Sequence, residues 1–201
     1  MFNSRFFLPV VFSILLFSAP AVGISFSDTE QSLGSYYSQD IIAADLDSDG
    51  DFDIAEGMGE GAKVWQNDGA GVFSDTGQTI GATTTVSIDA FDFDNDGDLD
   101  LLTGFFEHDS SDRFVAWEND GSGNFSSQIF EVDTQSGGLR DLAIADFDLD
   151  ADFDIVACMG YMVSGGSPNR LYNTSVDASG TVSILDSGQA IGDYETASCV
   201  A

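Results

Sequence analysis

Basic residues are nearly missing from this chain. Its 201 residues hold 5 Lys and Arg against 35 Asp and Glu, a formal net charge of −30. Phosphate backbones and anionic headgroups attract basic surfaces, so this balance argues against nucleic acid and against electrostatic docking to lipid. Histidine is reduced to His108, which argues against zinc and haem. There is no glycine-rich loop followed by lysine to cradle a phosphate, and no persuasive pairing of nucleophile and base. The segment His108-Asp109-Ser110-Ser111-Asp112 has the composition of a triad, but close sequence neighbours seldom form one, and it reads as a polar loop. No catalytic residues are expected, and no enzyme. Cysteine is also scarce: Cys158 and Cys199 are too few for a disulfide scaffold. They read as two buried small residues, with their pairing left open. Beyond the N-terminus, no window of ten or more residues shows convincing 3.6-residue periodicity, which leaves an all-β chain.

What is present begins with an apolar run. Arg5 precedes Phe6 to Phe17, and Ala19-Pro20-Ala21 offers small residues around a cleavage point, so residues 1–21 read as a secretory signal peptide. The run is short for a bilayer span, which needs roughly 20 apolar residues; an uncleaved anchor is the alternative. The mature chain is expected to contain no membrane span. Hydrophobic residues make up 43% of the sequence, enough for a folded region over 22–201.

The acids are concentrated in one motif written three times. Asp45-Leu46-Asp47-Ser48-Asp49-Gly50-Asp51-Phe52-Asp53 recurs as Asp92-Phe93-Asp94-Asn95-Asp96-Gly97-Asp98-Leu99-Asp100, and again as Asp146-Phe147-Asp148-Leu149-Asp150-Ala151-Asp152-Phe153-Asp154. Aspartates on alternate positions repel one another unless a cation lies among them, so each copy is a candidate hard-metal loop. Flexible carboxylate oxygens suit calcium; magnesium prefers a tighter octahedron.

Other markers recur in the same order. Phe26-Ser27-Asp28-Thr29-Glu30-Gln31-Ser32-Leu33-Gly34 returns as Phe73-Ser74-Asp75-Thr76-Gly77-Gln78-Thr79-Ile80-Gly81. Between loops, Trp65-Gln66-Asn67-Asp68-Gly69-Ala70-Gly71-Val72-Phe73 returns as Trp117-Glu118-Asn119-Asp120-Gly121-Ser122-Gly123-Asn124-Phe125, and its third copy reads as Leu171-Tyr172-Asn173-Thr174-Ser175. Apolar runs of strand length flank every loop. Asn-Asp-Gly supplies the turn of a hairpin, where glycine provides the positive φ. The repeat is therefore four short strands, spanning about 35–81, 82–132 and 133–192, with partial blade strands at 24–34 and 193–201.

An acidic loop between two strands, followed by a Trp/Leu-x-Asn-Asp-Gly-x-Gly-x-Phe hairpin, resembles the FG-GAP/VCBS-type repeat of calcium-binding integrin α-subunit blades and many secreted bacterial proteins. The resemblance implies one repeat per four-stranded antiparallel blade of a β-propeller, with calcium as the cofactor. The ligands expected in copy one are Asp45, Asp47, Asp49 and Asp53, with Asp51 through its main chain; in copy two they are Asp92, Asp94, Asp96 and Asp100, with Asp98 in the main-chain role. Copy three retains Asp146, Asp148, Asp150, Asp152 and Asp154, but Ala151 replaces the glycine and a weaker site is expected. Glu56 satisfies EF-hand spacing after Asp45, yet Thr103 and Ala157 stand there in the other copies, so a helical EF-hand is rejected.

A propeller closes with about 4 to 8 blades, and three repeats suggest an incomplete propeller and a longer reading frame. The expected function is a secreted or cell-surface calcium-binding module for an extracellular protein or carbohydrate ligand, with structural calcium. An accessory region of a larger secreted enzyme and an extracellular spacer are the alternatives. The variable inserts Met58 to Lys63, Phe105 to Arg113 and Met159 to Asn169 are the candidate recognition segments. Trp65 and Trp117 read as packing between blades, because they share one repeat position.

Overall fold

The computed structural model describes residues 27–34, 37–107, 112–135, 138–160 and 168–192. The expected signal peptide, His108, Cys199, the terminal strand 193–201 and the middles of two recognition inserts lie outside them. The chain divides into Met1–Glu30 and Gln31–Ala201. In the first unit, residues 27–30 form no regular element, and Asp28 Oδ1 accepts the Glu30 N–H at 2.8 Å.

The second unit is all-β, as expected, with no helix among the described residues. Its twelve strands form three antiparallel sheets of four. Sheet 1 contains β1 (Ser38–Ala44), β2 (Asp53–Met58), β3 (Gly61–Asn67) and β4 (Phe73–Asp75). Sheet 2 contains β5 (Thr84–Phe91), β6 (Asp100–Phe106), β7 (Arg113–Asn119) and β8 (Phe125–Asp133). Sheet 3 contains β9 (Leu139–Ala145), β10 (Asp154–Met159), β11 (Asn169–Val176) and β12 (Val182–Ile191). Each sheet is a meander in chain order and none closes into a barrel, consistent with incomplete propeller-like blades. Short apolar runs produce this pattern because each strand ends at a loop or turn signal before another turn of chain can join it.

The sheets stack through side chains. The strands β1, β5 and β9 are neighbours across sheets, and Asp40 Oδ2 on β1 accepts the Ile88 N–H of β5 at 2.9 Å. Leu46, Ala55, Val64, Ile88 and Leu101 are buried together between sheets 1 and 2. A second core of Leu102, Phe114, Leu139, Ile155 and Tyr172 lies between sheets 2 and 3. Sheet 2 thus buries both faces, and β6 is buried from Asp100 to Phe105. At the centre of the second core, Phe93 packs against Phe91 at 5.5 Å, Phe130 at 5.5 Å and Phe153 at 4.9 Å. The pairs with Phe130 and Phe153 are edge to face, and such pairs add about 0.5–1.5 kcal/mol each beyond their buried area.

Two sequence expectations are corrected. Cys158 is buried but disulfide-bonded, so it is not merely a small core residue. The second correction concerns the third hairpin. Trp65 and Trp117 pair with Ile54 and Leu101, the residues that follow the last loop aspartate, and Tyr172 pairs in the same way with Ile155. Tyr172, not Leu171, therefore holds the tryptophan place, packed 5.1 Å from Phe114. The turn itself falls at Asp177–Thr181, where Asp177 N–H donates to Thr181 O at 3.1 Å.

Candidate metal centre

Each acidic loop joins the first two strands of its sheet, and its ninth residue opens the second strand. Asp53, Asp100 and Asp154 are almost wholly buried, and all three do the same work. Asp53 accepts Leu46 N–H at 3.1 Å and Asn67 N–H at 2.9 Å. Asp100 accepts Phe93 N–H at 3.0 Å and Asn119 N–H at 2.8 Å. Asp154 accepts Phe147 N–H at 3.0 Å and Thr174 N–H at 3.2 Å. One carboxylate thereby ties the start of the loop to the third strand of the sheet.

The remaining acids fold the loop around itself. The first carboxylate receives the amide of position 6: Gly50 on Asp45, Gly97 on Asp92 and Ala151 on Asp146, each at 3.1 Å. Asp47, Asp94 and Asp148 each accept the amide two residues on, at 3.2 Å. The fifth acids Asp49, Asp96 and Asp150 repeat that turn with Asp51, Asp98 and Asp152.

The result is three convergent clusters. Carboxylate oxygens of Asp45, Asp47 and Asp53 lie within 4.8 Å of one another, as do those of Asp92, Asp94 and Asp96, and of Asp146, Asp148 and Asp154. Positions 1 and 3 converge in every loop. Position 9 joins them in loops 1 and 3, and position 5 in loop 2. Asp49, Asp100 and Asp150, also expected as ligands, are not in those groups. The seventh residues of loops 1 and 2 turn toward their own hairpins: Gly69 leaves room for Asp51 Oδ2, and Gly121 for Asp98 Oδ2. Asp98 Oδ1 also accepts Ser48 Oγ–H from loop 1 at 3.2 Å. Glu56, the rejected EF-hand residue, instead accepts Trp65 Nε1–H at 3.0 Å.

These clusters fit a hard cation. Asp45 Oδ1 and Asp51 Oδ1 are buried without a hydrogen-bond partner; an unpaired buried oxygen is costly unless something positive meets it. Burial, followed by the repulsion of Asp94 and Asp96, pushes the Asp100 carboxyl from 3.8 up to about 7, although the Asn119 and Phe93 amides oppose the shift. Asp94 is raised by burial and then by Asp96, Asp92 and Glu118. Asp51, Asp53 and Asp148 are raised as well, burial being the largest cause for each. A bound cation would hold these groups ionised and tie strand to strand.

A family model of the FG-GAP-like repeat matches residues 45–103, from the first aspartate of loop 1 through loop 2 into β6. The chain carries an FG-GAP-like repeat. Comparison with curated proteins gave no match. The matched FG-GAP-like segment contains two of the three carboxylate clusters and the Asn67–Phe73 hairpin. Among the described residues, no helix is long and apolar enough to cross a membrane.

The sequence reading missed the residues that brace the acidic loops from the third strand of each sheet. Gln66 Nε2 donates to Asp47 Oδ2, and Asn173 Nδ2 donates to Asp148 Oδ2 at 3.2 Å. In loop 2 the equivalent residue is Glu118, whose charge faces Asp94. The signal was one polar residue following each aromatic residue; it becomes visible only after the third copy is shifted by one.

Loop 3 departs where glycine is lost. Gly50 and Gly97 have φ of +97° and +101°, and Ala151 is held at φ +79°. A Cβ in the left-handed region costs about 1–2 kcal/mol. Leu149 at position 4 is also left-handed, at φ +65°. Ala151→Gly is expected to tighten calcium binding at loop 3 roughly five- to thirtyfold. Calorimetric titration checks this, and three sites of equal affinity in the unaltered chain would contradict it.

Proposed function

We propose that the chain is a secreted or cell-surface calcium-binding β-propeller module that recognises an extracellular protein or carbohydrate and performs no catalysis. The observation carrying the calcium reading is that a carboxylate cluster recurs in three loops, with positions 1 and 3 common to all, each loop anchored through position 9 to two strands. Calcium accepts six to eight flexible oxygens, and the donor set matches that preference. The ion is structural in this reading, because the clustered acids leave little of its coordination open to a ligand.

Recognition then belongs to the surface beside the clamped strands. A cavity of about 630 Å3 is lined by Tyr37, Gln39, Met58, Gly59, Glu60, Lys63, Thr79 and Thr84. It includes the first recognition insert, and its volume lies within the usual range for small-ligand sites. Tyr37 is 91% exposed, and an exposed aromatic face beside polar side chains suits a sugar ring. The test is an array of glycans and extracellular-matrix proteins probed with the calcium-loaded chain and with its Tyr37→Ala variant. Binding that Tyr37→Ala reduces at least tenfold, without a change in calcium affinity, is the expected result. An array with no ligand would leave the spacer reading in its place.

A further inference from the structure

Neighbouring sheets meet through two recurring contacts. The first is between loops: position 2 of one sheet packs on position 8 of the next. Leu46 is buried in the core against which Leu99 packs, and Phe93 meets Phe153 edge to face at 4.9 Å. The second is a glutamine clasp. Gln78 Nε2 donates to Gly123 O at 2.7 Å, and its Oε1 accepts Phe125 N–H at 2.9 Å. Gln31 grips the preceding hairpin identically, donating to Gly71 O at 2.6 Å and accepting Phe73 N–H at 3.0 Å.

The parts of both contacts recur on the outward faces of sheets 1 and 3, where the hairpin of sheet 1 is held by Gln31. Position 2 of loop 3 is Phe147, 49% exposed, and position 8 of loop 1 is Phe52, 66% exposed. The segment Asp186-Ser187-Gly188-Gln189 repeats Asp75-Thr76-Gly77-Gln78 in sequence and in its turns. Gly188 N–H donates to Asp186 Oδ1 at 2.9 Å and Gln189 N–H to Ser187 Oγ at 3.1 Å. In sheet 1, Gly77 N–H donates to Asp75 Oδ1 at 2.7 Å and Gln78 N–H to Thr76 Oγ1 at 3.4 Å. The Gln189 side chain is exposed and has no hydrogen-bond partner among the described residues.

Pairing register gives this glutamine meaning. Asp75 and Asp186 stand opposite Trp65 and Tyr172, and Ile80 and Ile191 opposite Ala62 and Asn169, so Gln78 and Gln189 hold one place; in sheet 2, where Gln128 stands opposite Trp117 and Val132 opposite Phe114, one residue fewer intervenes. Sheet 2 offers Phe130 and Glu131 there, neither of which can make the Nε2 donation, ahead of a hairpin that ends Gly180-Thr181-Val182. Glutamine thus stands where an intact Asn-Asp-Gly-x-Gly-x-Phe hairpin is available to grip. The chain has two such hairpins. Asn119–Phe125 packs against sheet 1 through Asn119, Gly123 and Phe125, whereas Asn67–Phe73 is gripped by Gln31 from a segment that forms no strand.

We propose that the outward faces of sheets 1 and 3 are the two halves of one head-to-tail interface, in which Gln189 of one copy clasps the Asn67–Phe73 hairpin of a second copy and Phe147 packs on Phe52. Gln31 yields its place to the same amide offered from a hydrogen-bonded strand. Such a heterologous contact closes into a ring or continues as a filament. Filling the acidic loops with calcium reduces the repulsion between copies and favours assembly.

Sedimentation velocity of the full chain in calcium, across the micromolar range, tests this. The unaltered chain is expected to associate with concentration, and Phe52→Asp and Phe147→Asp are each expected to sediment as monomers. Their equimolar mixture regains a dimer through its one undamaged pair of faces, which a two-fold symmetric contact would not allow. Gln189→Ala, outside every metal loop, is expected to weaken association roughly tenfold through two lost hydrogen bonds. Gln31→Ala is expected to strengthen it by removing the competitor. A chain that stays monomeric, aspartate variants that associate unchanged, a mixture that fails to dimerise, or Gln189→Ala without effect would each overturn the proposal.

Discussion

Removing calcium is expected to lower the melting temperature by roughly 15–30 °C. A site held at a hundred times its Kd stabilises the folded state by about 2.7 kcal/mol, so three sites contribute roughly 8 kcal/mol when all are filled. For a chain of this size each kcal/mol moves the midpoint by about 2–4 °C. Calorimetric melts in calcium and in EDTA measure the difference, and superimposable melts would rule out a structural ion. The pH response should separate the two states as well. In EDTA the raised carboxyls govern: for Asp100, from 3.8 unfolded to about 7 folded, the favourable contribution is complete below about 3.8 and is lost as the pH rises through 7. The metal-free chain should therefore melt higher at mildly acidic pH than at pH above neutral. With calcium the order should reverse, because the ion requires ionised ligands and is displaced by protons.

The size of that effect follows from where the loop sits. Asp53, Asp100 and Asp154 each accept an amide from the loop and another from the third strand. The loops therefore do more than decorate an edge. In loops 1 and 3 the position 9 carboxylate also joins the convergent cluster, so an ion there bears directly on the sheet's internal pairing. Loop 2 differs: it brings Asp96 into its cluster in place of Asp100, and its acids face Glu118 where the other loops face an amide side chain.

The sequence made much of this legible because the constraints were local. Alternating apolar runs, Asn-Asp-Gly turns and a fixed acidic spacing each act within a few residues, and strands β1, β2, β5, β6, β9 and β10 fall around the loops as the pattern implies. The replacement of glycine by Ala151 was visible too, and the position is left-handed, at φ +79°. What was not legible depended on partners distant in sequence. Tyr172 could be assigned to the tryptophan place only once Thr174 was seen bonding to Asp154 as Asn67 and Asn119 bond to Asp53 and Asp100. Sequence pattern alone favoured a neighbouring register, because the third hairpin has Asp177-Ala178-Ser179 and no Asn-Asp-Gly, and turns two residues later. The clasp residues Gln31 and Gln78 were visible as a repeat, but their partners lie 40 to 47 positions away. No local rule connects an amide side chain to a hairpin at that distance.

Asn119 illustrates the same point and carries the other large expected effect. Its Nδ2 donates to Leu46 O at 2.7 Å in loop 1 and to Leu99 O at 2.8 Å in loop 2. Its Oδ1 accepts Gly121 N–H at 3.1 Å and Gly123 N–H at 3.0 Å. All four bonds of a buried amide are satisfied, and one of them crosses between sheets. Asn119→Ala orphans two carbonyls and two amides; each orphaned group costs about 1–3 kcal/mol before water enters to relieve part of it. A loss of about 3–5 kcal/mol is expected in urea unfolding with calcium present. Asn67 makes the corresponding bonds to Phe52 O at 3.1 Å and from Gly71 N–H at 3.0 Å, and it is only partly buried. Asn67→Ala should therefore cost about 1–2 kcal/mol. Because Leu46 is the second residue of loop 1, Asn119→Ala should also weaken calcium at that loop, although residue 119 belongs to sheet 2. If the two variants proved equally mild, or loop 1 kept its affinity, Asn119 would be a turn residue rather than the pin between two metal loops.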